Sequence, residues 1–307
     1  MNKSLTLGIA ASVMLGGTIV YVSSTPEINN GTQISMAGLT PVAAITHGHG
    51  LAVDAFEANK LYIATHQGLL VLLDDRNLYQ IGKSKDDYMG FSADPTKPNT
   101  FFSSGHPSYG GNIGFQKSED GGRTWRKVSN GVGGPVDFHA MAVSPANPDY
   151  LYGWYQGNIQ RSTDGGVNWE IVGDSVLAVQ LVADPKDVTT IYGASSSDQG
   201  VLVSRDGGVR WSVLSTDLVP GQVSAIAVSP TGVDSMLVFS EKLRGLARST
   251  DRGITWKKVP ASFDGMILHI SFSPKDPLIV YALTHTNSLY KSVDGGEIWK
   301  KILPNNI

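Results

Sequence analysis

Short apolar stretches separated by turn residues recur along residues 45–307 of this 307-residue chain. In one repeat, a first stretch ends in a turn that often contains Pro, as at residues 142–145, and a second follows, as at residues 150–153. A third stretch leads into a Ser-x-Asp segment, and a fourth begins at a Trp. Runs of this length between turn residues are typical of strands. The pattern therefore predicts four short strands in each repeat.

The N-terminus differs from this pattern. Residues 5–22 form a mostly apolar run without charge, and Lys3 is the only charged residue among the first 24. A run of this length suits a secretory signal or a short membrane anchor. We therefore predict a signal or anchor at 1–24, a polar linker at 25–44 and the repeat domain at 45–307. The expected location is extracytoplasmic, secreted or anchored, with membrane contact only through the N-terminal segment.

One motif, close to Ser-x-Asp-Gly-Gly-x-Thr-Trp, sets the period of the repeat. Its Asp residues, spaced 44, 42, 45 and 43 positions apart, are Asp120, Asp164, Asp206, Asp251 and Asp294. Its Trp residues, five of the six in the chain, are Trp125, Trp169, Trp211, Trp256 and Trp299. A degenerate sixth copy at residues 74–79 precedes them. Six repeats of four strands predict an all-β fold, a six-bladed β-propeller with four-stranded blades.

The motif is explained as a hairpin between the third and fourth strands. The Asp carboxylate is expected to accept backbone N–H groups two or three residues later, and the Gly pair supplies positive φ angles. The Trp ring then packs beneath the turn. Because Asp251 is followed by Arg252 and Gly253, the second Gly position is predicted to matter more. We therefore assign these Asp residues a structural role.

The motif resembles the Asp-box, or bacterial neuraminidase repeat, of sialidases, xyloglucanases, sortilin-type receptors and photosystem assembly factors. The chain is most similar to exported bacterial sortilin-like propellers often labelled glycosyl hydrolases. Features recurrent in that group are matched by His47-Gly-His49-Gly50, Ala64-Thr65-His66, Ser104-Gly105-His106-Pro107 and Asp137-Phe138-His139. The resemblance implies a propeller, but a propeller fold does not define a function.

Composition narrows the chemistry. The chain has no Cys, so a metal must be held by His and carboxylate ligands, and a thiol nucleophile is excluded. A net charge of −3 argues against a nucleic-acid partner. No phosphate-binding Gly loop or Gly-x-Ser-x-Gly elbow occurs. The 35 Gly residues are partly explained by the repeated hairpins.

The histidines cluster in the first three repeats. We aligned the predicted first strands on their terminal small or acidic residues, Asp54, Ala93, Ser144, Ala183, Ser229 and Ser273. Five and seven positions earlier, repeats one to three carry His47, His49, Asp86, Tyr88, Asp137 and His139. Repeats four to six carry mainly apolar residues, Val176, Ala178, Met266 and Leu268, with Gln222 and Ser224. First strands line a propeller channel, so one half of the channel mouth is predicted to be polar.

Loops after the second strands open on the same face. They add His66, His106 and His285, which together with Tyr88 are candidate ligand-binding residues, and His269 lies on its own strand nearby.

Three interpretations of this mouth remain open. The histidines could serve only to satisfy loop backbones. His47, His49 and His139 could hold a divalent transition metal with Asp86 or Asp137. Alternatively, the mouth could bind an organic ligand such as a glycan, with Asp86, Asp87 or Asp137 as catalytic acid and base and Trp154, Tyr155 and Tyr109 as stacking surfaces.

We therefore expect a module that binds a ligand or metal, or assembles with an extracytoplasmic protein or glycan. The alternative is a glycoside hydrolase of sialidase-like fold with a non-sialidase substrate. The resemblance implies three Arg residues for a sialidase and two larger propellers for a xyloglucanase. Arg residues here lie mostly at the Asp-box hairpins. An assembly factor of the photosystem type would be expected to show a basic patch, and the Arg placement gives no clear one.

Overall fold

The protein folds into six antiparallel sheets, as the repeat predicts. The computed structural model describes residues 38–173, 176–231 and 234–304. The predicted signal or anchor lies outside these residues, as does most of the predicted linker. Within the part described, no helix is long and apolar enough to cross a membrane.

Each sheet is one blade with its strands in sequence order. The inner strands are β2 (Gly48–Val53), β6 (Asp87–Ala93), β10 (Ala140–Val143), β14 (Ala178–Ala183), β18 (Val223–Val228) and β22 (Ile267–Phe272). The second strands are β3 (Lys60–Thr65), β7 (Phe101–His106), β11 (Leu151–Tyr155), β15 (Ile191–Ser195), β19 (Met236–Ser240) and β23 (Val280–Thr284). The third strands are β4 (Gly68–Leu73), β8 (Phe115–Ser118), β12 (Asn158–Ser162), β16 (Val201–Ser204), β20 (Gly245–Ser249) and β24 (Leu289–Ser292). The outer strands are β5 (Asn77–Ile81), β9 (Arg126–Ser129), β13 (Glu170–Val172), β17 (Ser212–Val213), β21 (Lys257–Lys258) and β25 (Lys300–Leu303).

Within the part of the chain that the structure describes, the blades close into a ring without exchanging a strand between the first and last blades. The last blade contains its own outer strand, β25, and β22 packs against β2. The backbone N–H of Gly48 donates to Asn287 Oδ1 across this seam, and Lys291 Nζ lies 2.7 Å from Asp75 Oδ2. A further strand, β1 (Leu39–Pro41), pairs with β5 on the outside of the first blade. Ordered sheet therefore begins inside the segment predicted to be a linker.

The apolar core is divided among the spaces between neighbouring blades. Ile63 and Leu70 of the first blade pack with Leu283 and Leu289 of the last. Comparable clusters join blades two and three, three and four, four and five, and five and six. Stability therefore depends on the fit of each blade to the next.

The Asp-box hairpins follow one hydrogen-bond scheme. In the first of them, Ser118 Oγ accepts the N–H of Gly122 and donates to Asp120 Oδ1, each at 2.9 Å. The same carboxylate accepts the N–H of Thr124, four residues after Asp120. In the last hairpin, Asp294 Oδ1 accepts the N–H of Glu297, three residues later as predicted, and also the N–H of Ile298, four residues later. The indole N–H of four motif tryptophans donates to the carbonyl of the second motif glycine, in Trp169, Trp211, Trp256 and Trp299.

The two motif glycines face different surroundings. A Cβ atom on the second glycine, Gly166, would lie 1.9 Å from Phe115 of the preceding blade. A Cβ on the first, Gly165, would meet Asp149 only at 3.6 Å. Arg252 takes that first position in the fifth repeat with a φ of 65°. The second glycine is therefore needed for contact between blades, which explains why the sequence retains it.

Candidate functional site

The backbone defines the equivalent positions of the blades. After every inner strand, one backbone N–H donates to the carbonyl of a residue at the start of the second strand or just before it. The donors are Asp54, Asp94, Ser144, Asp184, Ser229 and Ser273. The sequence alignment was therefore one residue early in blades two and four, where it used Ala93 and Ala183. These alanines still belong to their strands.

The correction changes which side chains are equivalent. Five positions before the donors stand His49, Met89, His139, Val179, Ser224 and Leu268. Seven positions before them stand His47, Asp87, Asp137, Leu177, Gln222 and Met266. In four inner strands, a β-bulge leaves the residue five before the donor outside the ladder; these are His49, Val179, Ser224 and Leu268. A bulge changes the direction in which its side chain points.

Two residues predicted to face the channel, Asp86 and Tyr88, make structural contacts instead. The Tyr88 side chain is buried, with 1% exposure, and its ring stacks on Trp125 with the centroids 4.8 Å apart. Asp86 Oδ1 accepts the N–H of Ser108, and its Oδ2 accepts the hydroxyl of Ser84. Asp86 therefore anchors the loop after β7, and Tyr88 belongs to the blade interior.

Three histidines of the first blade converge at the mouth. His47, just before β2, His49, in its bulge, and His66, after β3, each place a ring nitrogen within 4.8 Å of the others. The rings of His49 and His66 lie 3.9 Å apart, centroid to centroid. His47 adopts a φ of 50°, which is uncommon for a residue other than glycine.

Asp87 of the second blade joins this group, which we call the His-Asp87 cluster (His47, His49, His66 and Asp87). Its Oδ2 lies 2.6 Å from His66 Nδ1, and its Oδ1 lies 3.9 Å from His49 Nε2. Burial lowers the pKa of His49 to about 4 although the Asp87 charge opposes this. His49 is therefore neutral near pH 7.

A second group lies between the second and third blades. Asp137 Oδ2 lies 2.9 Å from Nε2 of both His106 and His139. The Asp137 side chain is only 4% exposed, whereas both imidazoles reach solvent. The hydrogen bond that His139 donates to Asp137 raises the pKa of His139 against the effect of partial burial, and the Asp87 charge adds to the rise. His139 therefore lies within electrostatic reach of both carboxylates.

The loop after β7 brings an aromatic ring to the same side. His106 Nδ1 bonds the Gly111 carbonyl at 2.8 Å, and the Ser108 N–H is held by Asp86. Between these anchors Tyr109 is 98% exposed. The other two predicted stacking residues are engaged by protein groups: Trp154 donates its indole N–H to Val176, and the Tyr155 hydroxyl accepts from Asn112.

The two remaining histidines lie in the last blade. His285 Nδ1 accepts the N–H of Met266, so this ring braces the loop before β22. His269 lines the central channel, where burial lowers its pKa to about 4. Neither ring makes a hydrogen bond or ion pair with the carboxylates Asp87 and Asp137 in the part of the chain described.

The opposite half of the mouth is apolar, as the sequence predicts. In the fourth blade, however, the apolar residues that are exposed there differ from the predicted ones. Leu177, Val179 and Met266 are exposed, whereas Val176 and Ala178 are buried. The channel between the halves has a volume of about 240 Å³. One rim of the mouth is therefore rich in imidazole and carboxylate, and the other in aliphatic surface.

Comparison with known proteins agrees with this architecture. A family model described as BNR/Asp-box repeat matches residues 247–258. The xyloglucanase Xgh74A of Acetivibrio thermocellus is 26% identical over 204 residues, which cover 52% of this chain and 24% of that protein. A xyloglucanase of Hypocrea jecorina is 27% identical, covering 64% of this chain and 25% of that protein. The chain thus spans about a quarter of the length of these relatives.

Solved structures show the same fold. The GH74 xyloglucanase from Xanthomonas campestris superposes with a TM-score of 0.56 and 18% identity, over 88% of this chain and 47% of that one. YCF48 from Cyanidioschyzon merolae superposes with a TM-score of 0.51 and 16% identity, over 86% and 88% of the two chains. The chain is an Asp-box-repeat β-propeller. Its sequence and fold are glycosyl hydrolase-like.

The sequence did not reveal the contact between Asp87 and His66. The two residues are 21 positions apart and lie in different blades. Only the correct blade register places Asp87, rather than Asp86, beside the channel. The turn after each inner strand gives the correct register. Asp94 and Asp184 accept the backbone N–H three residues later, as Asp54 does, so these three residues are equivalent.

Proposed function

We propose that the protein is a glycoside hydrolase acting at the polar half of the channel mouth. The observation that carries the proposal is the position of two carboxylates at one open mouth, Asp87 at the start of inner strand β6 and Asp137 in the loop that leads into inner strand β10 of the next blade. Glycoside hydrolysis generally uses two carboxyl groups on either side of the scissile bond. The likeness to xyloglucanases supports this choice, and it makes xyloglucan the first substrate to test.

We assign different roles to the two carboxylates. Asp137 accepts hydrogen bonds from two imidazoles, and the raised pKa of His139 keeps one donor charged to a higher pH. Because two imidazoles meet at the same oxygen of Asp137, we assign this carboxylate the role of the base that activates water. Asp87 has one close imidazole partner and is the candidate acid. The exposed Tyr109 ring offers a surface on which a sugar can stack.

The test is release of reducing ends from xyloglucan, mixed-linkage β-glucan and cello-oligosaccharides, with sialyllactose as a comparison substrate. We expect Asp137→Asn and Asp87→Asn to lower kcat by about 100-fold or more, the usual scale for a lost acid or base. Glu170→Gln is the matched control, because this exposed carboxylate lies on the outer strand β13 and pairs with Arg161. Equal activity in all four proteins would refute the assignment.

A non-catalytic glycan-binding module is the second candidate. It is favoured by the histidine partners that already engage both carboxylates. In that case, affinity electrophoresis in the same polysaccharides would show retarded migration without hydrolysis, and Tyr109→Ala would abolish the retardation. If no glycan is hydrolysed and none retards migration, both candidate functions are refuted. Export through residues 1–24 remains part of the proposal and is tested by N-terminal sequencing of the secreted protein.

A further inference from the structure

The His-Asp87 cluster has the composition of a transition-metal site. Its three imidazoles place ring nitrogens within 4.8 Å of one another. Tetrahedral zinc with nitrogens at about 2.0–2.1 Å requires nitrogens about 3.4 Å apart. Small side-chain rotations, moving each nitrogen by about an ångström, would meet that requirement. Two of the rings, His47 and His66, are exposed, so an ion can reach the cluster from solvent.

Asp87 supplies the support that such sites normally have. A metal-bound imidazole usually donates its second N–H to a carboxylate, which fixes the tautomer and the ring orientation. His66 Nδ1 and Asp87 Oδ2, 2.6 Å apart, already have this relation. The carboxylate comes from the neighbouring blade, so the cluster is held across a packed blade interface.

The cluster also contains buried polar atoms that lack partners. His49 Nε2 and Asp87 Oδ1 make no hydrogen bond within the described parts of the chain, and both are shielded from solvent. Such atoms carry a free-energy cost, and a bound ion is one of the explanations for them. The two atoms are 3.9 Å apart, too far for a hydrogen bond between them. An ion bound beside His49 would compensate for this desolvation.

From these observations, we propose that His47, His49 and His66 bind a divalent transition-metal ion, with Asp87 orienting His66. A ligand set of three nitrogens and no sulfur suits Zn²⁺ or Cu²⁺. Three protein ligands also leave a coordination position open to an exogenous ligand. This set replaces the sequence-based set of His47, His49 and His139, because among the described residues it is His66, and not His139, that places a ring nitrogen within 4.8 Å of those of His47 and His49.

The chain provides a matched control for this site. His139 lies at the same mouth and pairs with a carboxylate, Asp137, as His66 pairs with Asp87, but His139 does not belong to the group of converging ring nitrogens. Isothermal titration of the chelator-stripped full chain, with no His-tag, is carried out with Zn²⁺ alone and with Cu²⁺ alone. Wild type, His47→Ala, His66→Ala and His139→Ala are compared, and far-UV circular dichroism in chelator verifies that each variant is folded.

We expect one ion per chain, at least tenfold weaker binding in His47→Ala and His66→Ala, and unchanged binding in His139→Ala. Frozen Cu²⁺ samples should show nitrogen hyperfine coupling in the electron paramagnetic resonance spectrum. Absence of binding, or equal binding in all four proteins, would overturn the proposal. So would loss of binding in His139→Ala alone. The result is independent of hydrolysis, because reducing-end release by metal-free wild type is measured separately.

Discussion

The Asp-box hairpins and the channel mouth lie at opposite ends of the same blades and follow opposite rules. At the hairpins, the same Ser, Asp and second Gly recur, and in each of the five the Ser hydroxyl oxygen accepts the N–H of that Gly. At the mouth, equivalent positions carry different residues, and three buried polar atoms, on His49, Asp87 and Asp137, have no hydrogen-bond partner among the described residues. The repeated part builds the scaffold, and the part that departs from the repeat is where we propose the functional site.

The largest expected effect is at the second glycine of a hairpin. In Gly166→Ala, the new methyl group would overlap Phe115, and φ is +86°. We expect a loss of about 3 kcal/mol in the free energy of unfolding, from overpacking together with left-handed strain. Urea denaturation measures it. Gly165→Ala, at φ +72° and with only Asp149 at ordinary contact distance, should lose only about 1 kcal/mol. Equal losses would show that blade contact is not the reason for the second glycine.

The next effect concerns the buried serine of the motif. Ser162 Oγ accepts the N–H of Gly166 at 2.9 Å and donates to Asp164 at 2.8 Å. Ser162→Ala leaves that N–H buried without a partner, so we expect a loss of about 1–3 kcal/mol. Thr163→Ala, at the exposed neighbouring position, should change little. If both variants unfold at the same urea concentration, the hydrogen-bond scheme contributes nothing to stability.

The fold was predictable because the hairpin motif is local. Asp, Gly and Trp at fixed spacing determine one turn, and its recurrence determines the number of blades. The site was less predictable because it depends on register. A one-residue displacement at Ala93 exchanged Asp86 for Asp87, and in a strand that moves a side chain to the other face. The contact between His66 and Asp87 also requires the packing of two blades, which composition does not report.

A smaller effect is expected from pH. Hydrogen bonds from the backbone and side chain of Arg210 lower the pKa of Asp206 to about 2. Its unfolded value is near 4. A lowered folded pKa means that this stabilisation is present above pH 4 and is lost as the pH falls towards 2. Asp206→Asn should therefore melt below wild type at pH 6 and at the same temperature at pH 2. A difference that stays constant across this range would contradict the assignment.

The smallest effect on stability is expected at the mouth, which makes it the sharpest contrast with the hairpins. His49 is mostly buried, and its Nε2 has no hydrogen-bond partner in the described structure. An apolar side chain of similar size removes that unsatisfied group, so His49→Leu in chelator should unfold within about 0.5 kcal/mol of wild type, or be slightly more stable. Added Zn²⁺ should then raise the melting temperature of wild type and leave the variant unchanged, because only an ion bound to the folded state stabilises it. A loss of stability like that of Ser162→Ala would mean that His49 is structural, and the division between scaffold and site would not hold at this position.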